Sequence, residues 1–186
     1  MMREIALNIL DVAQNSLSAQ ATEVKIIVKT DTKQNRLKIE IADNGKGMSE
    51  DFLKKVTDPF TTTRTTRKVG LGLPFFKDSA LITGGKFDIK SKLNAGTTVT
   101  AEYVLDSIDR MPLGDIADTV IALIMAKDTV RIILNYSVDG QNFCFDTEQA
   151  REIMGDVPLS SYEVVTFLKE YINNGIKICN GGIVNL

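Results

Sequence analysis

Near the amino terminus Asn8, Asp11 and Asn15 lie three and four residues apart, so on a helix their side chains stack as one stripe. The stripe holds no Lys or Glu, the usual residues of a solvated face. Its short oxygen donors suit a hard cation such as Mg²⁺; a solvated polar stripe is the alternative. Further on, Ile41-Ala42-Asp43-Asn44-Gly45-Lys46-Gly47-Met48 carries an alternating apolar run to a carboxylate and then through two glycines. Asp-Asn-Gly alone is a hairpin-turn signal, because Asn and Gly accept positive φ. Here no second strand follows. Ser49 is a good helix N-cap, with Glu50 and Asp51 in the first turn and Phe52, Leu53 and Val56 at helical spacing. A strand that ends in a carboxylate, loops through glycines and enters a helix is a ligand-site geometry.

Two further stretches carry donors for an anion. Asp58-Pro59-Phe60 is followed by Thr61, Thr62, Thr63, Arg64, Thr65, Thr66, Arg67 and Lys68, almost free of apolar side chains. A solvated loop and a mobile lid over an anion both fit, since Thr hydroxyls and Arg bind phosphate. Next, Gly70-Leu71-Gly72-Leu73-Pro74 opens a helix that ends at Gly84-Gly85. Its free N–H groups and positive dipole end suit phosphates. The pattern is not a P-loop.

Composition narrows the chemistry. The 186 residues are 44% hydrophobic and 25% charged, as in an ordinary soluble globular protein, and the net charge of −2 gives no argument for nucleic acid or a membrane surface. No apolar run approaches a membrane span, so the expected location is cytoplasmic. With no histidine in the sequence, imidazole bases, ligands and phospho-acceptors are excluded within these residues. Cys144 and Cys179 match no metal spacing and are expected to be small buried apolar residues.

The elements that must position these residues follow from periodicity. Residues 3–19 read as a helix, with Ile5, Ile9, Leu10, Val12, Ala13 and Leu17 on one face. Two antiparallel strands follow, the first on Val24, Ile26 and Val28, the second over residues 36–43. After the helices at 49–56 and 70–81 come strands near 86–91 and 97–105, joined at Asn94-Ala95-Gly96. Beyond residue 106 the pattern predicts a helix over 115–126, a strand pair joined at Asp139-Gly140, a helix over 147–154 and a last helix capped by Ser160.

Five of these stretches, in order, resemble the boxes of the GHKL superfamily of ATP-binding domains, shared by gyrase-type topoisomerases, heat-shock chaperones, histidine kinases and the mismatch-repair protein MutL. The N box resembles residues 7–21, where Asn15-Ser16-Leu17 and Ala21-Thr22 are close to MutL wording; the G1 box matches residues 43–48. The F box matches Asp58-Pro59-Phe60-Thr61-Thr62-Thr63, the G2 box Gly70-Leu71-Gly72-Leu73, and Gly96-Thr97-Thr98 resembles the terminal GTT. The resemblance covers residues 3–105 and implies an α+β fold: a two-layer sandwich of a mainly antiparallel mixed sheet with helices on one face. Residues 1–106 would form this ATP-binding domain and 107–186 a small α+β domain packed on it.

The resemblance also implies roles. Asn15 would hold Mg²⁺ at the phosphates, and Asp43 would accept a hydrogen bond from the adenine amine. Gly45, Gly47 and Met48 would let backbone approach the nucleotide, and Phe60 belongs to the lid motif. Gly70, Leu71 and Gly72 would offer N–H groups to phosphate, with Arg64 and Lys77 as further phosphate partners and Thr98 supporting the adenine. Asp11 stands where many family ATPases carry a Glu base, so it is the candidate catalytic residue. Lys127 could reach a γ-phosphate from the carboxy-terminal third; a solvated surface Lys is the alternative. The expected function is binding of ATP with Mg²⁺ and transfer of the γ-phosphoryl group to a protein partner or to water. The alternative is a nucleotide-gated interaction module or ATP sensor.

Overall fold

The computed structural model describes residues 4–57 and 72–181. The apolar stripe of the first segment folds as helix α1, Ile5–Ser18, burying Ile5, Ala6, Ile9, Val12 and Ala13. Strands β1, Glu23–Asp31, and β2, Arg36–Asp43, pair antiparallel with Ile26 opposite Ile41. Their period-two pattern sends Val24, Ile26, Val28, Leu37, Ile39 and Ile41 to one face, where all are buried. β3, Lys86–Ser91, and β4, Thr97–Val104, add to the β2 side, and Val99, Ala101 and Tyr103 continue the same apolar face.

Between β2 and β3 lie α2, Glu50–Leu53, and α3, Gly72–Leu81. Ser49 caps α2 as expected, accepting from Phe52 N at 3.3 Å. The helix is shorter than predicted because its end tightens into i→i+3 bonds, Lys55 N to Phe52 O at 3.0 Å and Val56 N to Leu53 O at 3.4 Å. Helix α3 is anchored on the sheet by Phe76, whose ring meets those of Phe87 and Tyr103, and by Ser79, whose hydroxyl lies 3.0 Å from the Tyr103 hydroxyl. Burial pushes that phenol's pKa up.

The carboxy-terminal third does not form a core of its own. Helix α4, Ile116–Ala126, leads to β5, Arg131–Val138, and β6, Gln141–Asp146. β5 pairs parallel with β1, Leu134 opposite Ile26, so one sheet runs in the order β3-β4-β2-β1-β5-β6. Helix α5, Thr147–Met154, and helix α6, Tyr162–Asn180, follow. A single apolar cluster joins α1, α3, α4 and α6 to the sheet. The architecture is the expected α+β sandwich with a mixed sheet. The expected boundary at 106/107 marks the end of the motif-bearing region, not a break in packing.

Two smaller expectations change, at Ser160 and at Cys144, while Lys127 is a surface residue. The helix α6 begins after Ser161, whose side chain makes no cap bond, while the Ser160 hydroxyl reaches Asp128 Oδ2 at 3.1 Å. Cys179 is buried, but Cys144 is exposed, because it alternates with Phe143 and Phe145 and those rings take the core side of β6. Lys127 is the exposed C-cap of α4. The Asp139-Gly140 hairpin is as predicted, both residues at positive φ, 48° and 92°.

Candidate functional site

Asp43 ends β2 on the helix-covered face and is held from two directions. Ser16 of α1 donates its hydroxyl to Asp43 Oδ2 at 2.6 Å, and Gly45 N donates to Oδ1 at 2.8 Å. Each carboxylate oxygen keeps a lone pair for a further donor. The carboxylate is half-buried, aimed, and still able to accept.

The loop after Asp43 is fixed by its own backbone and by Asn44. The Asn44 side-chain oxygen accepts from Thr22 N at 2.9 Å and Glu23 N at 3.0 Å, and its nitrogen donates to Thr22 Oγ1 at 2.8 Å. Lys46 N donates to Ala19 O at 2.9 Å, and Asn94 N to Lys46 O at 2.7 Å. A Cβ on Gly45 would come within 2.8 Å of Ala19 O; one on Gly47, at φ +61°, within 2.0 Å of Lys92 O. These glycines are therefore required by the close approach of neighbouring protein backbone, in the first instance. Met48 N donates to Ser91 Oγ at 2.9 Å, and Ser91 in turn meets Gly96 O at 3.0 Å and Thr97 Oγ1 at 2.9 Å.

The β2/β4 register corrects one assignment. Thr97 lies opposite Asp43, and Thr98 opposite Ala42. Side chains alternate, so Thr97 shares the face of Asp43 and Val99, while Thr98 points to the open face with Lys38, Glu40 and Thr100. Thr97, not Thr98, is the hydroxyl on the Asp43 side.

A second part of the site lies along α1. A Cβ added at Gly72 would stand 3.2 Å from Asp11 Cβ and 3.3 Å from Asp11 Oδ2, so the start of α3 is seated directly against Asp11. Asp11 and Ser16 are five residues apart on α1, a rise of about 7.5 Å. One helix thus spaces the Asp43 end of the site from the Gly72 end. Asn15 lies between them, half-buried, on the stripe with Asp11. Lys77 sits on α3 about 140° around the helix from Gly72, so α3 does not turn it towards the contact with Asp11. Phe60, Arg64, Gly70 and Leu71 lie outside the described residues. Ser16 and Thr97 join the candidate site through contacts between distant segments, the Ser16–Asp43 hydrogen bond and the β2/β4 register.

A family model described as histidine kinase-, DNA gyrase B-, and HSP90-like ATPase matches residues 1–107. The chain belongs to this family. The curated relatives of this chain include Sporulation kinase D of Bacillus subtilis (strain 168), 34% identical over 92 residues, covering 50% of this chain and 18% of the relative. Another is the C4-dicarboxylate transport sensor protein DctB of Pseudomonas aeruginosa, 33% identical over 99 residues, covering 53% of this chain and 16% of the relative. The matched region is thus under a fifth of either relative's length.

Among solved structures, the Aquifex aeolicus MutL ATPase domain complexed with ADP superposes with a TM-score of 0.56 at 14% identity, covering 83% of this chain and 70% of that one. The N-terminal domain of a DNA repair protein gives a TM-score of 0.53 at 14% identity, covering 77% of this chain and 52% of that one. At that identity the likeness concerns fold. Coverage of 83% reaches past residue 107, so the shared fold takes in part of the carboxy-terminal third.

Proposed function

We propose that this ATPase-family chain binds ATP with Mg²⁺ and passes the γ-phosphoryl group to water or to a partner protein. The observation that carries the reading is the Asp43 carboxylate, held at 2.6 Å by Ser16 and 2.8 Å by Gly45 with lone pairs left over. An adenine exocyclic amine supplies the donor this arrangement lacks. Guanine would set a carbonyl oxygen against the carboxylate, so ATP is favoured over GTP.

The donor chemistry fits Mg²⁺ held mainly by phosphate and water. Among the described residues no group of three or more His, Cys, Asp or Glu side chains is placed to hold a metal ion. Mg²⁺ commonly takes one or two protein oxygens and completes its shell with phosphates and water. Asn15 would supply the protein oxygen, and the ion would offset charge on the phosphates. Asp11 lies against the start of α3, where a proton acceptor could serve the incoming hydroxyl. In transfer to water or a hydroxyl the acceptor oxygen bonds to the γ-phosphorus and gives its proton to Asp11. The bridging P–O bond breaks and its electrons leave with ADP.

The protein acceptor, when there is one, lies outside these 186 residues if it is an imidazole, since the sequence has no His. Sensor and sporulation kinases among the relatives support a signalling partner. A cytoplasmic site of action accords with an ATP substrate and with free thiols at Cys144 and Cys179. Incubation with γ-labelled ATP, alone and with cell extract, tests the reading. Label in free phosphate or in a second protein is expected. Absence of ATP binding by calorimetry would overturn it.

A further inference from the structure

One side chain on α1 is out of place in an apolar interior. Asn8 is 0% exposed, and neither its Nδ2 nor its Oδ1 has a hydrogen-bond partner. A carboxamide buried this way costs free energy, and most such groups are satisfied in folded proteins. Its place on the helix limits what could satisfy it. Asn8 lies on α1 between the sheet-facing column Ile5, Ile9 and Val12 and the stripe of Asp11 and Asn15. Two carboxylates fall within one turn. Glu4 is drawn against Gly114, and the other is Asp11, three residues on and on the same side of the helix. Asp11 in turn has the start of α3 at its back.

We infer that Asn8 is a positioning residue for Asp11: with nucleotide bound, its amide nitrogen donates to one Asp11 oxygen and so directs the other towards the acceptor hydroxyl. This rests on the reading of Asp11 as proton acceptor. Side chains three apart on a helix stand about 5–6 Å between Cβ atoms, so a change of side-chain rotamer is enough to bring the now unpaired Asn8 amide onto the Asp11 carboxylate. The unpaired amide is then a stability cost kept for turnover, as buried polar groups at functional sites can be.

The test is Asn8→Leu, which removes the orphaned polar group at similar volume. Its melting temperature should equal or exceed that of the unmutated protein and its ATP affinity stay within twofold. Its turnover should fall about tenfold, the worth of one hydrogen bond to a charged group. The double variant Asn8→Leu/Asp11→Asn should turn over no more slowly than Asp11→Asn alone, because both changes act through one carboxylate. Turnover of Asn8→Leu within twofold of normal, or a double variant showing the product of the two single effects, overturns the inference. Should Asn8→Leu fail to fold, Asn8→Ser and Asn8→Ala leave nearly equal cavities and differ by one hydroxyl; the Ser variant should be faster, and equal rates overturn the proposal. If the unmutated protein binds ATP without turning it over, the role of Asp11 fails and this inference with it. If it turns over and Asn8→Leu does too, only the inference fails.

Discussion

Ser16 and Asp43, 27 residues apart in sequence, meet at 2.6 Å and join the first helix to the end of the second strand. A serine buried in the last turn of a helix gains nothing from burial unless its hydroxyl is used, and here it fixes one oxygen of the carboxylate proposed to meet adenine. Asp43→Ala should abolish measurable ATP binding in calorimetry. Ser16→Ala should weaken it about tenfold, the loss of one hydrogen bond to a charged acceptor. Affinity unchanged in both would remove the nucleotide assignment.

Thr97 and Thr98 separate two accounts of the same motif. Thr97 is opposite Asp43 and hydrogen-bonded to Ser91, whereas Thr98 faces away across the sheet. Thr97→Ala is expected to lower ATP affinity by several-fold and Thr98→Ala to leave it within twofold, as read by calorimetry. The reverse ranking would mean that the nucleotide lies on the open face.

Gly47→Ala combines an unfavourable φ with a clash. At φ +61° a Cβ would lie 2.0 Å from Lys92 O, a backbone atom with little freedom to yield. A loss of at least about 2 kcal/mol is expected from strain and displaced backbone together. Urea unfolding measures it, and a midpoint equal to that of the unmutated chain would show that the loop can open without cost.

Asp146 makes acid stability testable. It accepts from Arg131 Nη2 at 2.6 Å and from Glu148 N at 2.9 Å, capping α5, and the Arg131 bond holds its pKa below the usual carboxylate range. A carboxylate whose folded pKa is depressed adds stability that is fully present above its unfolded value of about 3.9 and is lost as pH falls through the folded value. Asp146→Asn should therefore cost about 1–3 kcal/mol at neutral pH. The gap between variant and parent should close as pH falls below about 4, measured by chemical unfolding across pH. A gap constant with pH would mean that the carboxylate charge contributes nothing.

The local parts of this fold could be read from the chain because their signals are local. Ile5, Ile9 and Val12 mark a helix period, Leu37, Ile39 and Ile41 a strand period, and Asp139-Gly140 a hairpin. The candidate site was drawn from residue type, at Asp43 and along the stripe of Asp11 and Asn15, and the fold sets Asp43 against Ser16 and Asp11 against the start of α3. What could not be read depends on pairing between distant segments. Thr97 and Thr98 are equivalent until β4 is set in register with β2. Cys144 looked apolar until β6 turned Phe143 and Phe145 inwards. Most of all, nothing near Ile132 or Leu134 announces that β5 will lie beside β1, more than a hundred residues earlier.

That last pairing has a practical outcome. Eight residue pairs, from Glu23 with Arg131 to Thr30 with Val138, close the outer side of β1, and Arg131 clasps Glu23, Asp146 and Glu148 across the join. A chain cut near residue 107 would keep every motif of the ATPase family yet present β1 as a bare strand beside an uncovered stretch of core. Such strands recruit one another. The last third thus acts as a seal, and the half that matches the ATPase family could be transplanted into another protein only together with a strand to replace it.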